Sequence, residues 1–238
     1  ATSNAITVVG PWLNAEVTVG AGCRTTGSVG LTGATAPEGG YTITLTSADT
    51  DIASVPSTVT IAQGSSSKSF TIVGHSPGTV EIMASVAGFS EIKTVTVVTP
   101  TFTFNSVPSQ MTLGANTNGY LYAYVPGGTY AYSQTYIHSN TSQSVDQTLE
   151  VSLSSENPAV VQVPADVTIA ADSYYCTFQV QAVGTGNSTI TASASEWTAA
   201  TSGTITVVGS DKTEEVTKAL DNASLSHNPY FTRAITQN

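Results

Sequence analysis

The stretch that decides the fold is "YTITLTSADTDIASVPSTVTIAQG" (41–64), because it aligns without a gap on "LEVSLSSENPAVVQVPADVTIAAD" (149–172). The match continues through "FTIVGHSPGTVEIMAS" (70–85) against "FQVQAVGTGNSTITAS" (178–193). In both copies apolar residues alternate with polar ones. Tyr41, Ile43 and Leu45 answer Leu149, Val151 and Leu153, and Phe70 and Ile72 answer Phe178 and Val180. A period of two with one apolar face means half-buried strands. Val55-Pro56 and Val163-Pro164 fall at matching positions, where proline fits only a sheet edge or a strand break.

Working outward, each copy reads as about seven short strands separated by turn signals in roughly 100 residues, the pattern of a two-sheet antiparallel sandwich. The fold class expected is all-β: two tandem immunoglobulin-like sandwiches followed by a short helical tail. The boundaries are 1–99 (with an N-terminal strand at 3–10), 100–209 and 210–238. The join at "VVTPTF" has no Gly-rich linker and is expected to be short and stiff.

Composition agrees. Ser and Thr exceed a quarter of the 238 residues, the apolar fraction is 40% and charged residues only 9%, which suits strands and turns and not disorder. A net charge of −10 with six Lys and Arg argues against nucleic acid. Those six all lie outside residues 94–211, so a long stretch offers nothing to trypsin-like proteases. No apolar run approaches the ~20 residues of a membrane helix, and a start at Ala1 would suit a chain cleaved from a signal peptide.

The motif "tLTSadtdiASVPstVTIaqGSsSksFTI…GtveImAsvaG" resembles the bacterial immunoglobulin-like repeats of secreted and cell-surface proteins. The resemblance covers both copies up to about Gly209 and implies spacers, adhesin stalks, fibre subunits or phage decorations, with a location outside the cell or at its surface expected. The second copy departs from it where "AADSYYC" stands in place of the usual Gly-Ser hairpin.

That copy also carries about fourteen extra residues within "GGTYAYSQTYIHSNTSQSVD" (127–146). With Tyr120, Tyr122 and Tyr124, the segment holds most of the tyrosines, including Tyr130, Tyr132 and Tyr136. Such rigid rings either cover a sheet face or meet a partner, a glycan or a host or cell-surface protein. In "DKTEEVTKALDNASLSH" (211–227), Val216, Ala219, Leu220 and Ala223 recur at helical spacing behind an acidic start. One amphipathic helix is expected there, with Val216 and Leu220 on its docking stripe.

No catalytic, cofactor or metal constellation emerges, and no enzymatic activity is expected. His75, His138 and His227 lack ligand spacing. Ser65 and Lys68 have the spacing of a serine–lysine acylation pair but fall in a strand connection, and Asp49 and Asp51 suit turn capping better than calcium. Cys23 and Cys176 are either two separate buried apolar residues or an interdomain or intersubunit disulfide. Asn140, Asn187 and Asn222 begin glycosylation sequons at about the frequency chance provides.

The opening "SNAITVVGP" (3–11) nearly repeats "SGTITVVGS" (202–210), with a third version, "KTVTVVTP", at 93–100. It reads as the first strand of the first copy, as the remnant of a preceding repeat, or as a strand given to a neighbouring molecule. Ile6 and Val8 share one face as Ile205 and Val207 do. Burying them with Val9 or Trp12 would return ~5–9 kcal/mol, about what ordering half a dozen residues costs at ~1–2 kcal/mol each. The reading with the most consequence is a subunit of a surface fibre that self-associates by strand or tail exchange.

Overall fold

The computed structural model of the chain describes residues 10–15, 18–127 and 144–210. Every regular element among them is a β-strand. The N-terminal strand expected at 3–10, with Ile6 and Val8, lies outside these residues apart from Gly10, and the helix expected at 211–227 lies wholly outside them.

The first half contains β1 (Pro11–Asn14), β2 (Thr18–Gly20), β3 (Cys23–Leu31), β4 (Tyr41–Ser47) and β5 (Ala53–Ser54). It continues with β6 (Thr58–Ile61), β7 (Ser67–Gly74), β8 (Gly78–Val86) and β9 (Phe89–Val98). One sheet has the order β1-β3-β7-β5 and the other β2-β9-β8-β4-β6. All pairs are antiparallel except β2 with β9. Alternation along each strand sends one row of side chains inward: Leu13, Val29, Phe70 and Ile72 from the first sheet meet Val19, Ile43, Ile61, Ile82 and Val97 from the second in a single buried cluster. This is a β-sandwich.

The second half contains β10 (Thr101–Asn105), β11 (Gln110–Thr112), β12 (Asn116–Tyr124), β13 (Ser144–Val145), β14 (Leu149–Ser155) and β15 (Val161–Gln162). Then come β16 (Asp166–Ile169), β17 (Tyr175–Ala182), β18 (Gly186–Ser188), β19 (Ile190–Ser193), β20 (Ala200–Thr201) and β21 (Ile205–Val208). Its sheet β10-β12-β17-β15 corresponds to β1-β3-β7-β5, and the parallel pair β11 with β21 corresponds to β2 with β9. A break at Thr189 divides the counterpart of β8 into β18 and β19, so the counterpart of the second sheet becomes β11-β21-β18 and β16-β14-β19-β20. Phe102, Leu121, Val151, Ile169, Phe178 and Ile205 lie in a second buried cluster.

One cross-strand device repeats. Gly27 pairs with Phe70 and Gly119 with Phe178, and each phenyl ring lies over the bare Cα. It fixes the register of β3 on β7 and of β12 on β17 in the same way. Each half has more strands than the seven expected from sequence. The additions are short: β2 and β11 have three residues each, and the Val-Pro breaks separate β5 from β6 and β15 from β16. Only Thr99 and Pro100 separate β9 from β10, the short join anticipated.

The halves touch through a strand as well. β13, at the end of the Tyr-rich segment, pairs antiparallel with β3, Ser144 opposite Arg24 and Val145 opposite Cys23. The sheet β1-β3-β7-β5 thereby gains a fifth strand from the other half.

Candidate functional site

Two features of the second half have no counterpart in the first. The first is the outer face of its β10-β12-β17-β15 sheet. Along β12, Gly119 and Leu121 point into the core, so Asn118, Tyr120, Tyr122 and Tyr124 point outward. Along β17, Phe178 and Val180 point inward and Tyr175, Thr177, Gln179 and Gln181 outward. Pairing sets Tyr122 opposite Tyr175 and Asn118 opposite Gln179.

The tyrosines form one cluster with Tyr174. The Tyr122 ring lies 5.5 Å from that of Tyr175, 6.1 Å from Tyr174 and 6.5 Å from Tyr120, near parallel in each case. Tyr122 is only 6% exposed although it faces away from the core, whereas Tyr124 and Tyr175 are about two-fifths exposed. Burial, and then the neighbouring Tyr174, Tyr175 and Tyr120, push the Tyr122 phenol up from its ordinary value. Beside the cluster lies an open groove of about 550 Å³. Asn118, Thr177, Gln179, Gln181 and Gln162 supply its polar wall, and Val163, Pro164, Val167 and Phe178 its apolar one. The Gln179 amide donates to Asn118 Oδ1 and so orients both side chains. No charged residue lines the groove.

The second feature is the contact with the first half. Arg24 Nη2 ion-pairs with Asp172, Arg24 Nε stands 3.7 Å from Asp146 Oδ1, and the same guanidinium reaches the Asp146 carbonyl at 3.5 Å. The Asp146 N–H donates to the Gly22 carbonyl at 2.9 Å and the Asp172 N–H to the Val145 carbonyl at 3.0 Å. Asp172 has φ +66° and occupies the position that Gly64, φ +78°, holds in the first half. A carboxylate thus stands in a conformation that favours glycine, at a cost of roughly 1 kcal/mol. Glu196, φ +63°, likewise replaces Gly88, φ +86°. Glu196, Trp197, His75, Gly22, Val145 and Asp146 line a cleft of about 280 Å³ between the halves.

The remaining sequence candidates fall as follows. Cys23 and Cys176 are free thiols, so the disulfide alternative is not realised within the chain. They lie on different sheets, Cys23 opposite Val145 and Cys176 opposite Leu121. Burial, with Asp146 adding to it, pushes the Cys23 thiol up to about 12, and burial pushes Cys176 up to about 11. Asp49 caps its turn, accepting the Asp51 N–H at 2.9 Å. His75 Nε2 lies 2.8 Å from Ser54 Oγ. Ser65 sits in a turn, its N–H donating to the Ala62 carbonyl, and Lys68 lies on β7 opposite Val29. Asn187 is exposed on β18. Tyr130, Tyr132, Tyr136, His138, Asn140, Val216, Leu220, Asn222 and His227 lie outside the described residues. Among the described residues, no group of three or more His, Cys, Asp and Glu side chains could hold a metal ion, and no helix is long and apolar enough to cross a membrane.

Sequence reasoning found the tyrosine excess and the odd "AADSYYC" turn but not Arg24 or the groove amides. The available signal was the exchange of Gly64 for Asp172, since an acid at a turn position that favours glycine asks for a compensating contact.

No family model and no curated protein matches the chain. Among solved structures, the adhesin InvE of Yersinia pseudotuberculosis is 14% identical with a TM-score of 0.36, over 84% of this chain and 58% of that one. The S-layer protein SbsC is 15% identical with a TM-score of 0.35, over 85% and 28%. A C-terminal intimin fragment, solved with the intimin-binding domain of the translocated intimin receptor, is 17% identical with a TM-score of 0.34, over 85% and 64%. The chain spans less than two thirds of each of these three structures.

Proposed function

We propose that the chain is a non-enzymatic structural and adhesive protein of the cell surface. In this reading residues 1–99 and 100–209 are two immunoglobulin-like domains held as one stiff rod, and residues 210–238 are a tail. The chain is a subunit of a fibre or array that assembles by strand or tail exchange. The observation that carries the reading is β13: a sheet edge in the first half accepts a strand from outside that half, with Val145 buried at 1% exposure. Strand addition joins partners through backbone hydrogen bonds and pockets for alternate side chains. The segment 3–10, with Ile6 and Val8 on one face, has the alternation such a join requires. A surface rich in hydroxyls and poor in charge suits an extracellular module.

The test is to compare the full chain with a variant lacking residues 1–10, by size-exclusion chromatography and negative-stain electron microscopy at high protein concentration. The full chain is expected to form linear polymers and the shortened one to stay monomeric. Filaments that persist after the deletion, or a full chain that stays monomeric throughout, would overturn the reading.

A further inference from the structure

We infer that the outer face of the β10-β12-β17-β15 sheet is a binding site for a neutral polysaccharide, with the amide groove and the flanking Tyr120 and Tyr175 as its recognition surface. The inference stands apart from the assembly proposed above.

The first half provides an internal control. By the shared register, Tyr120 and Tyr122 replace Ser28 and Gly30, while Tyr175, Thr177 and Gln179 replace Ser67, Ser69 and Thr71. At the Tyr122 position the first half also has a ring, Trp12 lying over Gly30, but at the other four positions the same sandwich folds with small side chains. The second half nevertheless gathers rings and amides on one face, from strands far apart in sequence. Eight residue steps from Asn116 to Tyr124 make a track of about 27 Å, at ~3.4 Å per residue.

Charge selects the ligand. The groove contains no ionised side chain, and the chain has no Lys or Arg between residues 94 and 211 against a net charge of −10. An anionic glycan or a nucleic acid would find no counter-charge here. A neutral sugar offers what the face can use. Its C–H face can lie on an exposed tyrosine ring, and its hydroxyls both donate and accept, as the Gln162, Gln179 and Gln181 amides do. An extended peptide adding as a strand would need a free sheet edge. Here β10 covers β12 at Tyr120–Tyr124 and β15 covers β17 at Gln181 and Ala182, so a peptide strand laid along the rest of β17 is the competing outcome that the peptide arm of the test reads.

The test uses the full chain in affinity electrophoresis and calorimetry against soluble starch, mannan, xylan and β-glucan. An acidic polysaccharide (alginate) and a proline-rich peptide serve as alternative ligands. Tyr175→Ser with Gln179→Thr copies the residues of the first half, so this variant is expected to fold, as checked by circular dichroism. The wild type should be retarded by at least one neutral polysaccharide, and the variant should lose about tenfold or more in affinity. Tyr124→Ser provides a second folded readout at the end of the track. No retardation by any neutral polysaccharide, binding of alginate or peptide alone, or unchanged affinity in both variants would overturn the inference.

Discussion

Gly119→Ala should destabilise the second half, although alanine is ordinarily the better residue within a strand. A methyl group at Gly119 would lie 2.7 Å from Phe178 Cζ and 3.1 Å from both Cε atoms. Phe178 cannot simply swing away. It is 4% exposed, and its ring meets Phe104 edge-on with centroids 6.1 Å apart. Overpacking of this kind costs ~1–3 kcal/mol, while replacing glycine within a strand returns ~0.5–1 kcal/mol. At mid-range the balance is a loss of about 1.3 kcal/mol, which for a unit of about 100 residues lowers Tm by roughly 5–10 °C. Gly27→Ala should behave alike, since its methyl would lie 2.6 Å from Phe70 Cζ. Differential scanning calorimetry of both single variants and the double variant reads the effect. If 1–99 and 100–209 unfold separately, each substitution lowers one transition and leaves the other. Phe178→Leu should recover part of the Gly119→Ala loss in a double-mutant cycle. A Tm that is unchanged or raised by Gly119→Ala would refute the idea that the ring is held over the glycine.

Asp172→Gly should leave global stability within about 1 kcal/mol, because relief of the left-handed backbone offsets the loss of a partly exposed ion pair. It should, however, speed hydrogen exchange at the Asp146 amide, which donates across the join; unchanged exchange there would mean that Arg24 does not hold the halves together. At pH 8 neither thiol should react with Ellman's reagent in the native state, and both should react in denaturant. Cys23 and Cys176, raised to about 12 and 11 from 9.0, keep their protons longer folded than unfolded. They contribute nothing to the pH dependence well below pH 9, and stability should fall as pH rises from 9 towards 12. A denaturation midpoint that is flat over that interval in the wild type, yet sloping in Cys23→Ala, would contradict the assignment.

The strands from β4 to β8 were legible because their positions recur at one fixed offset with alternating polarity, and the two Val-Pro breaks punctuate them identically. The strands β2 and β11 were not. Three residues cannot display a period, and each runs parallel to the last strand of its half, Thr18 beside Thr96 and Gln110 beside Thr206, far away in sequence. The matching register of β3 and β12 was also hidden, because it rests on Gly27 under Phe70 and Gly119 under Phe178, and a glycine leaves no mark in a hydrophobicity pattern. In the same way, Tyr120 and Tyr122 become neighbours of Tyr174 and Tyr175 only once β12 pairs with β17, so the sequence displayed an excess of tyrosine without the face that gathers it.

The join between the halves is directional, and this bears on how further copies could attach. Arg24 meets Asp146 and Asp172, but the register that places Arg24 opposite Val73 places Asn116 opposite Gln181. The second half thus carries Asn116 where the first carries the guanidinium. Likewise Gly64 and Gly88, with open space where a side chain would begin, occupy in the first half the positions of Asp172 and Glu196. The ion pairs that lock one half to the other therefore cannot be repeated at either end. A polymer of this chain would have to be held by something else: backbone hydrogen bonds to a donated strand and burial of its apolar row. Burial and backbone pairing are screened far less by salt than surface ion pairs are, which separates a fibre built by strand exchange from one built by extending the contact at Arg24.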